Sequence, residues 1–562
     1  MKKYFLLLVL CTYSLFLFGQ LKESQAIDSI FKEWGKQNVP GGAIGIIKDG
    51  KLMYAKEYGI ADMEHGIKIN PSSVFNICAE SQQFVAFSLL LLEEQGKLNL
   101  DDTVQKHLPD FPEYEAPLTI RHFIHHTSGI RHYRPLVELK GRSLLNNVEA
   151  DEVYTLIKHQ KALNFLPGKK FSWSNSGYFL LAKIIEKVSG QSFKIYAQEH
   201  IFDPLGMKNT LFYDDNTDLI KNKVCSYNKR SAEDGFDNVM TKTNLIGAGG
   251  IYSTIEDLFL WDQNFYNNKL GKGGQKIITN MYKEGRLNNG ESSGHAYGLI
   301  SNKYKGLKTF ENGGSFAGYQ SEILRFPDEN FSVIILANRG DSDPWVLAYQ
   351  VADVLLKDKF IDLSKNKGNS TDNKTGNLDS SDVKEKFSLK QIMGDYEIEP
   401  GRLLKFNITN NSLQLLEGWG ASFMLKNTKK NRYKTTKYPK LQFVFSELNN
   451  NVTQKLTVLG PSFKSTAKRK EKVEFSKLQL ADYTGDFYSE EIDATHQFFL
   501  ENGKLKVKIT NKEPLALAPY DLDIFNSDNS ESYLVHFIRT NGKVSGFKLK
   551  AGWITNLKFK KK

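Results

Sequence analysis

The chain has 562 residues, of which 40% are apolar, 12% aromatic and 25% charged. This length predicts roughly three to four domains, and the near-average composition excludes globally disordered, collagenous and coiled-coil proteins. Three cysteines are too few for a disulfide framework. The formal net charge of +11 indicates an acidic partner only if the basic residues are clustered.

The N-terminus is typical of an export signal. Lys2 and Lys3 precede an apolar run at 4–18 and a Gly-Gln pair, as in a cleavable secretory signal. The run is about 15 residues long, shorter than the roughly 20 needed to span a bilayer; an uncleaved anchor is the alternative. We predict a signal peptide at 1–20 and an exported protein, periplasmic or secreted, with no transmembrane segment after cleavage.

Residues 21–360 alternate helical and strand patterns, which predicts an α/β (α+β) domain. Apolar residues spaced as on one helix face predict a first helix at 27–34. Two apolar runs joined by Asp49 and Gly50 predict a β-hairpin across 43–55, because Asp-Gly favours a tight hairpin turn.

Three further elements of this domain have strong patterns. Apolar runs at 84–94 and 178–188 predict helices that stop at Gly96 and Gly190. The β-branched and apolar run at 332–336 predicts a buried strand.

The composition changes beyond this domain. Residues 361–386 are rich in Ser, Asn, Asp, Gly and Lys, which predicts a disordered linker. From 387 onward short apolar and polar runs alternate, and Gly394-Asp395-Tyr396 recurs as Gly-Asp-Phe at 485–487. A second match at the same offset favours two copies of a small β-rich, barrel-like module at 387–477 and 478–562, with chance similarity as the alternative.

Positive charge is concentrated in the first of these modules. Residues 387–477 contain seventeen basic and seven acidic side chains, a net of +10, whereas 478–562 are nearly neutral. The residues that we single out as a basic patch are Lys429, Lys430, Arg432, Lys434, Lys437, Lys468, Arg469 and Lys470. A solvated basic surface and a binding surface for an anionic envelope polymer are both open, and no nucleic-acid motif accompanies the patch.

Four stretches of the first domain resemble the serine β-lactamase and penicillin-binding-protein-like hydrolases, in the branch with class C β-lactamases, D-alanyl-D-alanine carboxypeptidases and esterases. The matching stretches are FNICAESQQF at 75–84, TIRH to HTSG at 119–129, FLPG to WSNSGY at 165–178, and NGGSFAGY at 312–319. The resemblance implies an antiparallel sheet flanked by helices, beside a helical subdomain.

The resemblance also implies that the catalytic side chains are substituted. The family's Ser-x-x-Lys places a nucleophile and its base on one helix face; here the two positions are Ala79 and Gln82. The Tyr-x-Asn motif becomes Trp173-Ser-Asn175, and Asn312 replaces the cation that opens the third motif. Backbone N–H groups of Ala79 and Ser315 would still form the family's oxyanion hole, so the six residues named Ala79, Gln82, Trp173, Asn175, Asn312 and Ser315 define a degenerate active-site pocket.

Two neighbours of residue 79 offer alternatives. Ser81 would be the nucleophile if the alignment were shifted by two residues, but it is followed three residues on by Phe84 rather than by lysine. Cys78 would be a substitute nucleophile, but its side chain points roughly 100° away around a helix.

The sequence therefore predicts an exported protein that binds cell-wall peptide or glycan without cutting it. The alternatives are an active serine hydrolase and a scaffold or binding protein that acts through its C-terminal β modules. No cofactor is predicted, and no metal site, because the histidines and cysteines lack ligand spacing.

Overall fold

The structure is a computed structural model of the chain. It describes residues 23–230, 234–361, 386–399, 402–416, 422–435, 441–460, 464–471, 475, 477–527 and 533–562. The predicted signal peptide at 1–20, and the predicted linker at 361–386 except for its first and last residues, lie outside the described residues. No helix within the described ranges is long and apolar enough to cross a membrane.

A six-stranded antiparallel sheet forms the centre of the first domain. The hairpin predicted at 43–55 is confirmed, because its two strands are joined by Asp49 and Gly50, both with positive φ. The buried strand predicted at 332–336 is also confirmed, and it pairs with the first strand of that hairpin. In spatial order the strands are Ile300–Tyr304, Leu307–Phe316, Tyr319–Phe326, Phe331–Ala337, Gly42–Lys48 and Lys51–Tyr58.

Short strands pair outside this sheet. They are Ile60–Asp62 with Ile67–Lys68, Phe75–Asn76 with Ile251–Ser253 and Leu211–Phe212, and Tyr227–Lys229 with Phe236–Asn238.

Helices cover the sheet and build the helical subdomain. The helices predicted at 84–94 and 178–188 are confirmed, and Gly190 ends the second one in a left-handed conformation. The helix predicted at 27–34 is wrong in length: it ends at Ile30, and 31–34 continue as turns that keep Phe31 and Trp34 buried. The α-helices of the domain are Ser24–Ile30, Ser81–Glu94, Val104–His107, Ile120–Ile124, Tyr133–Leu139, Ala150–Lys158, Asn175–Ser189, Phe193–Ala197, Asp203–Leu205, Ile255–Tyr266, Gln275–Met281 and Pro344–Leu355.

The C-terminal region forms two closed, eight-stranded antiparallel barrels. The first barrel has strands Gly394–Glu399, Arg402–Thr409, Ser412–Leu416, Ser422–Lys429, Arg432–Thr435, Gln442–Asn449, Val452–Leu459 and Lys464–Lys470. The second barrel has strands Gly485–Ser489, Ala494–Glu501, Lys504–Lys508, Leu515–Asp521, Ile524–Ser527, Leu534–Thr540, Lys543–Ala551 and Ile554–Lys561. A short helix precedes each barrel, Leu389–Ile392 and Lys477–Ala481.

The internal repeat corresponds to equivalent first strands. Gly394 and Gly485 each begin a barrel with a positive φ, 145° and 130°, and the aromatic residues two positions later, Tyr396 and Phe487, are completely buried in the two barrel interiors. The two barrel-like modules predicted from the sequence are therefore present as two barrels of the same design.

The hydrophobic cores do not follow the order of the domains along the chain. The main core of the first domain is continuous with the core of the second barrel, whereas the first barrel has a core of its own. A buried ion pair crosses the joint between the first domain and the second barrel, with Arg131 Nη1 donating to Glu491 Oε2 at 2.5 Å. The second barrel is thus packed onto the first domain, although the first barrel lies between them along the chain.

Candidate active-site cavity

The position that the resemblance assigns to the nucleophile lies on a tight turn. Cys78–Glu80 form a 3₁₀ turn that leads directly into the helix Ser81–Glu94. Cys78 has a positive φ of 53°, and its N–H donates to Asn76 Oδ1 at 2.8 Å. Ala79 follows and is half-buried. A methyl group therefore stands where the resemblance implies an attacking hydroxyl.

Gln82 lies one helical turn after Ala79 and forms a hydrogen bond with a neutral histidine, His126. It is completely buried, and its Oε1 lies 3.2 Å from His126 Nε2. The Ser174 N–H points to His126 Nδ1 at 3.2 Å, so Nδ1 accepts and Nε2 carries the proton that is donated to Gln82. Burial, reinforced by nearby histidines, lowers the pKa of His126 well below its usual value. The pair is therefore uncharged at neutral pH, where the resemblance implies a lysine.

Trp173 ties the second motif to the same histidine. Its indole stacks on the His126 ring with centroids 4.3 Å apart, and its Nε1 donates to Asn175 Oδ1 at 2.8 Å. Burial raises the pKa of Tyr133 to about 12, and Arg134 and the Asn175 side chain act in the opposite direction. With its carbonyl oxygen engaged by Trp173, Asn175 has its amide N–H groups to offer.

Asn312 braces the third-motif strand against the nucleophile turn. It is 1% exposed, its Nδ2 donates to the carbonyl oxygens of Ala79 and Gly298 at 3.0 Å each, and its Oδ1 accepts the following N–H at 3.1 Å. A Cβ on Gly314 would lie 2.6 Å from the Ala79 nitrogen, so only glycine permits this approach of the two backbones. The approach keeps the Ser315 backbone beside the turn.

The six residues predicted from the motifs fall into two groups of three. Ala79, Asn175 and Ser315 line one cavity of about 90 Å³. Gln82, Trp173 and Asn312 are not among the described residues that line it; each is held by the contacts given above.

Sequence reasoning missed most of the other lining residues, among them Tyr133 and Arg134. Arg134 is the sole charged side chain among the described residues that line the cavity, and its Nε donates to the half-exposed Glu138 at 3.2 Å. The available signal was their position directly after the matched stretch that ends at Gly129. The cavity is therefore a small recess with a mixed polar and apolar lining and, among the described lining residues, one cation.

The second barrel supports the segment that carries Arg134. The Arg134 N–H donates to His132 Nδ1 at 3.1 Å, and the His132 ring stacks on Trp553 of the second barrel with centroids 5.3 Å apart and planes 23° apart. Burial lowers the pKa of His132 to about 3, so the ring is neutral at neutral pH, and the N–H donated by Arg134 assigns Nδ1 as its unprotonated nitrogen.

Comparison with known proteins identifies the fold family. The Beta-lactamase family model matches residues 26–356, which is more than half of the chain. The chain belongs to the Beta-lactamase family.

Two relatives agree with this assignment, and one solved structure has a similar fold. A penicillin-binding protein of Bacillus subtilis (strain 168) is 29% identical over 329 residues, covering 56% of this chain and 72% of that protein. A D-aminopeptidase of Gluconobacter oxydans (strain 621H) is 26% identical over 299 residues, covering 53% of this chain and 56% of that protein. The penicillin-binding protein homologue from Pyrococcus abyssi has a similar fold, with a TM-score of 0.56 and 22% identity over 79% of this chain and 99% of that one.

Within this Beta-lactamase domain, neither neighbour of Ala79 is placed as a nucleophile. Ser81 is completely buried, and its Oγ donates to the Cys78 carbonyl at 2.7 Å and accepts the Ile251 N–H at 3.1 Å. The Cys78 Sγ lies 3.8 Å from the Tyr319 carbonyl oxygen, and burial raises the pKa of this thiol far above its usual value. A thiolate, which is the reactive form of cysteine, is therefore disfavoured here.

The basic patch predicted beyond the Beta-lactamase domain does not lie on one pair of strands. Lys429, Lys430, Arg432 and Lys434 belong to the hairpin of the fourth and fifth strands of the first barrel, whereas Lys468, Arg469 and Lys470 belong to the eighth strand. Lys437 lies outside the described residues.

Two residues of the eighth-strand group are engaged in contacts. Arg469 donates to the Tyr396 hydroxyl at 2.9 Å, and Lys470 pairs with Asp521 of the second barrel at 3.3 Å.

Among the described residues, no group of three or more His, Cys, Asp or Glu side chains could hold a metal ion.

Proposed function

We propose that this member of the Beta-lactamase family is an exported, non-catalytic protein that binds the end of a cell-wall peptide or glycan fragment in the Ala79 cavity. The observation that carries the proposal is that Ala79 and the uncharged Gln82–His126 pair occupy the two positions where the resemblance implies the nucleophile and its base. The names of the relatives, a penicillin-binding protein and a D-aminopeptidase, support a peptide-like ligand.

The expected loss of catalysis is large. Removing one member of a catalytic unit typically lowers turnover by about 10⁴ to 10⁶, and four functional side chains are substituted together here. Ligand binding should suffer less than catalysis, because the backbone N–H groups of Ala79 and Ser315 do not depend on side-chain identity. Arg134 adds a guanidinium whose planar donor fork suits a carboxylate.

A fluorescent penicillin distinguishes this proposal from an active serine hydrolase. We expect the purified protein to form no covalent fluorescent band, and we expect Ala79→Ser with Gln82→Lys to restore no robust hydrolysis, because Trp173 and Asn312 still lack the relay and the cation. An active β-lactamase serves as the positive control. A covalent band on the unaltered protein would overturn the proposal and establish the hydrolase.

Binding is tested separately from chemistry. A thermal-shift and calorimetry series with muropeptides should give binding that weakens roughly tenfold or more in Arg134→Gln, the loss expected for one charge-assisted hydrogen bond. Lys140→Gln removes the same charge just after the same helix, outside the lining of the cavity, and should leave affinity unchanged. Equal loss in both variants, or no binding to any peptide or glycan fragment, would contradict the cavity as the site.

An anionic envelope polymer is a second class of partner in this proposal. The residues that would contact it belong to the first barrel, which has a hydrophobic core separate from that of the Beta-lactamase domain. Binding of the polymer to the first barrel is therefore expected to be independent of any ligand in the Ala79 cavity.

A further inference from the structure

One hairpin of the first barrel carries positive charge without negative charge. It consists of the strands Ser422–Lys429 and Arg432–Thr435 and the turn between them. Residues 422–435 contain five basic side chains and no Asp or Glu. The five are Lys426, Lys429, Lys430, Arg432 and Lys434; we call this segment the basic hairpin.

The strand register places like charges opposite one another. Lys426 faces Lys434, and Lys429 faces Arg432. Leu425, which directly precedes Lys426, is buried in the barrel. Because side chains alternate along a strand, Lys426 points outward. Directly opposed side chains have Cβ atoms about 4.5–5.5 Å apart, and like charges at that separation repel.

The described neighbours supply no carboxylate to relieve this repulsion. On the next strand, Lys434 faces Gln442, and Arg432 Nη1 donates to the Gln442 Oε1 at 3.0 Å. Lys426, Lys429 and Lys434 form no ion pair with any described residue. Elsewhere in the same barrel the lysines do find partners: Lys455 pairs with Glu447 at 2.7 Å.

The hairpin also lies on the side of the first barrel opposite the second barrel. The first barrel touches the second through its first and eighth strands, where Tyr520 donates to Glu397 and Lys470 pairs with Asp521. Those two strands are neighbours in the closed ring of eight, and the fourth and fifth strands lie diametrically opposite them. The basic hairpin is therefore on the outward side of the barrel, where a long polymer has access.

We propose that the basic hairpin docks an acidic polysaccharide, a polymer of carboxylate-bearing sugars. A chain with repeated carboxylates supplies the counter-charges that no described residue gives to the facing lysines, and the polar side chains beside them, such as Gln442, suit sugar hydroxyls. The proposal rests on and specifies the second partner class of the proposed function, an anionic envelope polymer on the first barrel, and it does not depend on ligand binding in the Ala79 cavity.

The test uses the full chain and immobilised polygalacturonate, with dextran as the neutral polymer. We expect binding to polygalacturonate only, weakening roughly tenfold or more between 0.05 M and 0.5 M salt (chosen conditions), since exposed charges are screened over about 8 Å at physiological salt. Lys426→Glu with Lys434→Glu should weaken binding roughly tenfold or more, the effect of losing two contacts of about 0.7 kcal/mol each.

The second barrel offers a matched control. Lys548 and Lys558 are exposed and also face each other on paired strands. Lys548→Glu with Lys558→Glu therefore makes the same change in charge at a different place and should leave binding intact. If the glutamate pair disturbs folding of the first barrel, Lys426→Gln with Lys434→Gln removes the charge without reversing it. Equal loss in the control, salt-independent binding, binding to dextran, or tighter binding of polyphosphate or DNA by the same hairpin would each overturn the assignment.

Discussion

The ion pair between Arg131 and Glu491 provides a sharp test of how the second barrel is attached. Both side chains are buried, with 0% and 5% of their surface exposed. Arg131 also donates to Gln160 Oε1 at 2.8 Å and to the carbonyl oxygen of Asn556 at 3.0 Å. Replacing Glu491 by glutamine therefore leaves a guanidinium buried without its counter-charge. Breaking a buried pair in this way costs about 3–5 kcal/mol, a large part of the stability of an ordinary domain.

We expect Glu491→Gln to lower the free energy of unfolding by about 3 kcal/mol, at the lower end of that range because an isosteric amide keeps one acceptor for Arg131. The measurement is urea unfolding of the full chain, followed by tryptophan fluorescence. Glu490→Gln is the matched control, because Glu490 pairs with Lys560 at 3.3 Å with 62% and 80% of the two side chains exposed. Such an exposed pair contributes at most about 1 kcal/mol. If Glu491→Gln changed stability no more than Glu490→Gln does, the buried joint between the two units would be refuted.

Two further predictions concern a buried histidine and the predicted linker. Burial lowers the pKa of His295 to about 3, so its contribution to stability is present above its unfolded value near 6.5 and is lost as pH falls from there toward 3. The stability of His295→Phe relative to the parent should therefore rise by about 1.4 kcal/mol per pH unit below 6.5, and a pH-independent difference in urea midpoint would contradict this. Limited proteolysis should cut within 361–386, but the fragments should elute together in gel filtration because the second barrel shares the core of the first domain; elution as separate fragments without denaturant would show that the joint is weak.

Local pattern predicted the elements of the fold well. The hairpin at Asp49 and Gly50 was predictable because turn chemistry and strand alternation act over a few residues. The two barrels were predictable as modules because each begins with the same Gly-Asp-aromatic signal at Gly394 and Gly485. The end of the first helix at Ile30 was not predictable, since the buried spacing of the following turns imitates a helical period.

Long-range contacts could not be predicted in the same way. Arg131 and Glu491 are 360 residues apart, and nothing in either local sequence names the other. The motifs placed Asn312 in the site, but its bracing bonds to two carbonyl oxygens depend on how the third-motif strand meets the turn. Arg134 was missed because its place in the cavity depends on His132 and on the second barrel behind it.

The register of the first barrel decided the interpretation of the basic residues. The sequence showed the charge near 429–434 and 468–470, but not that the two groups lie on different strands of a closed ring. The position of Lys426 opposite Lys434 depends on the strand register, which the sequence does not specify.

The joint between the first domain and the second barrel also bears on the order in which the chain is assembled. Arg131 is made early, and Glu491 is made 360 residues later, after the whole of the first barrel. During synthesis the first domain can form its sheet, but Arg131 has no counter-charge and the face around it has no cover until the second barrel arrives. A chain interrupted before Glu491 would display an apolar surface with an unpaired cation at its centre, which is the kind of surface that chaperones and proteases recognise. Burial of this face of the first domain therefore depends on the part of the chain that is made last.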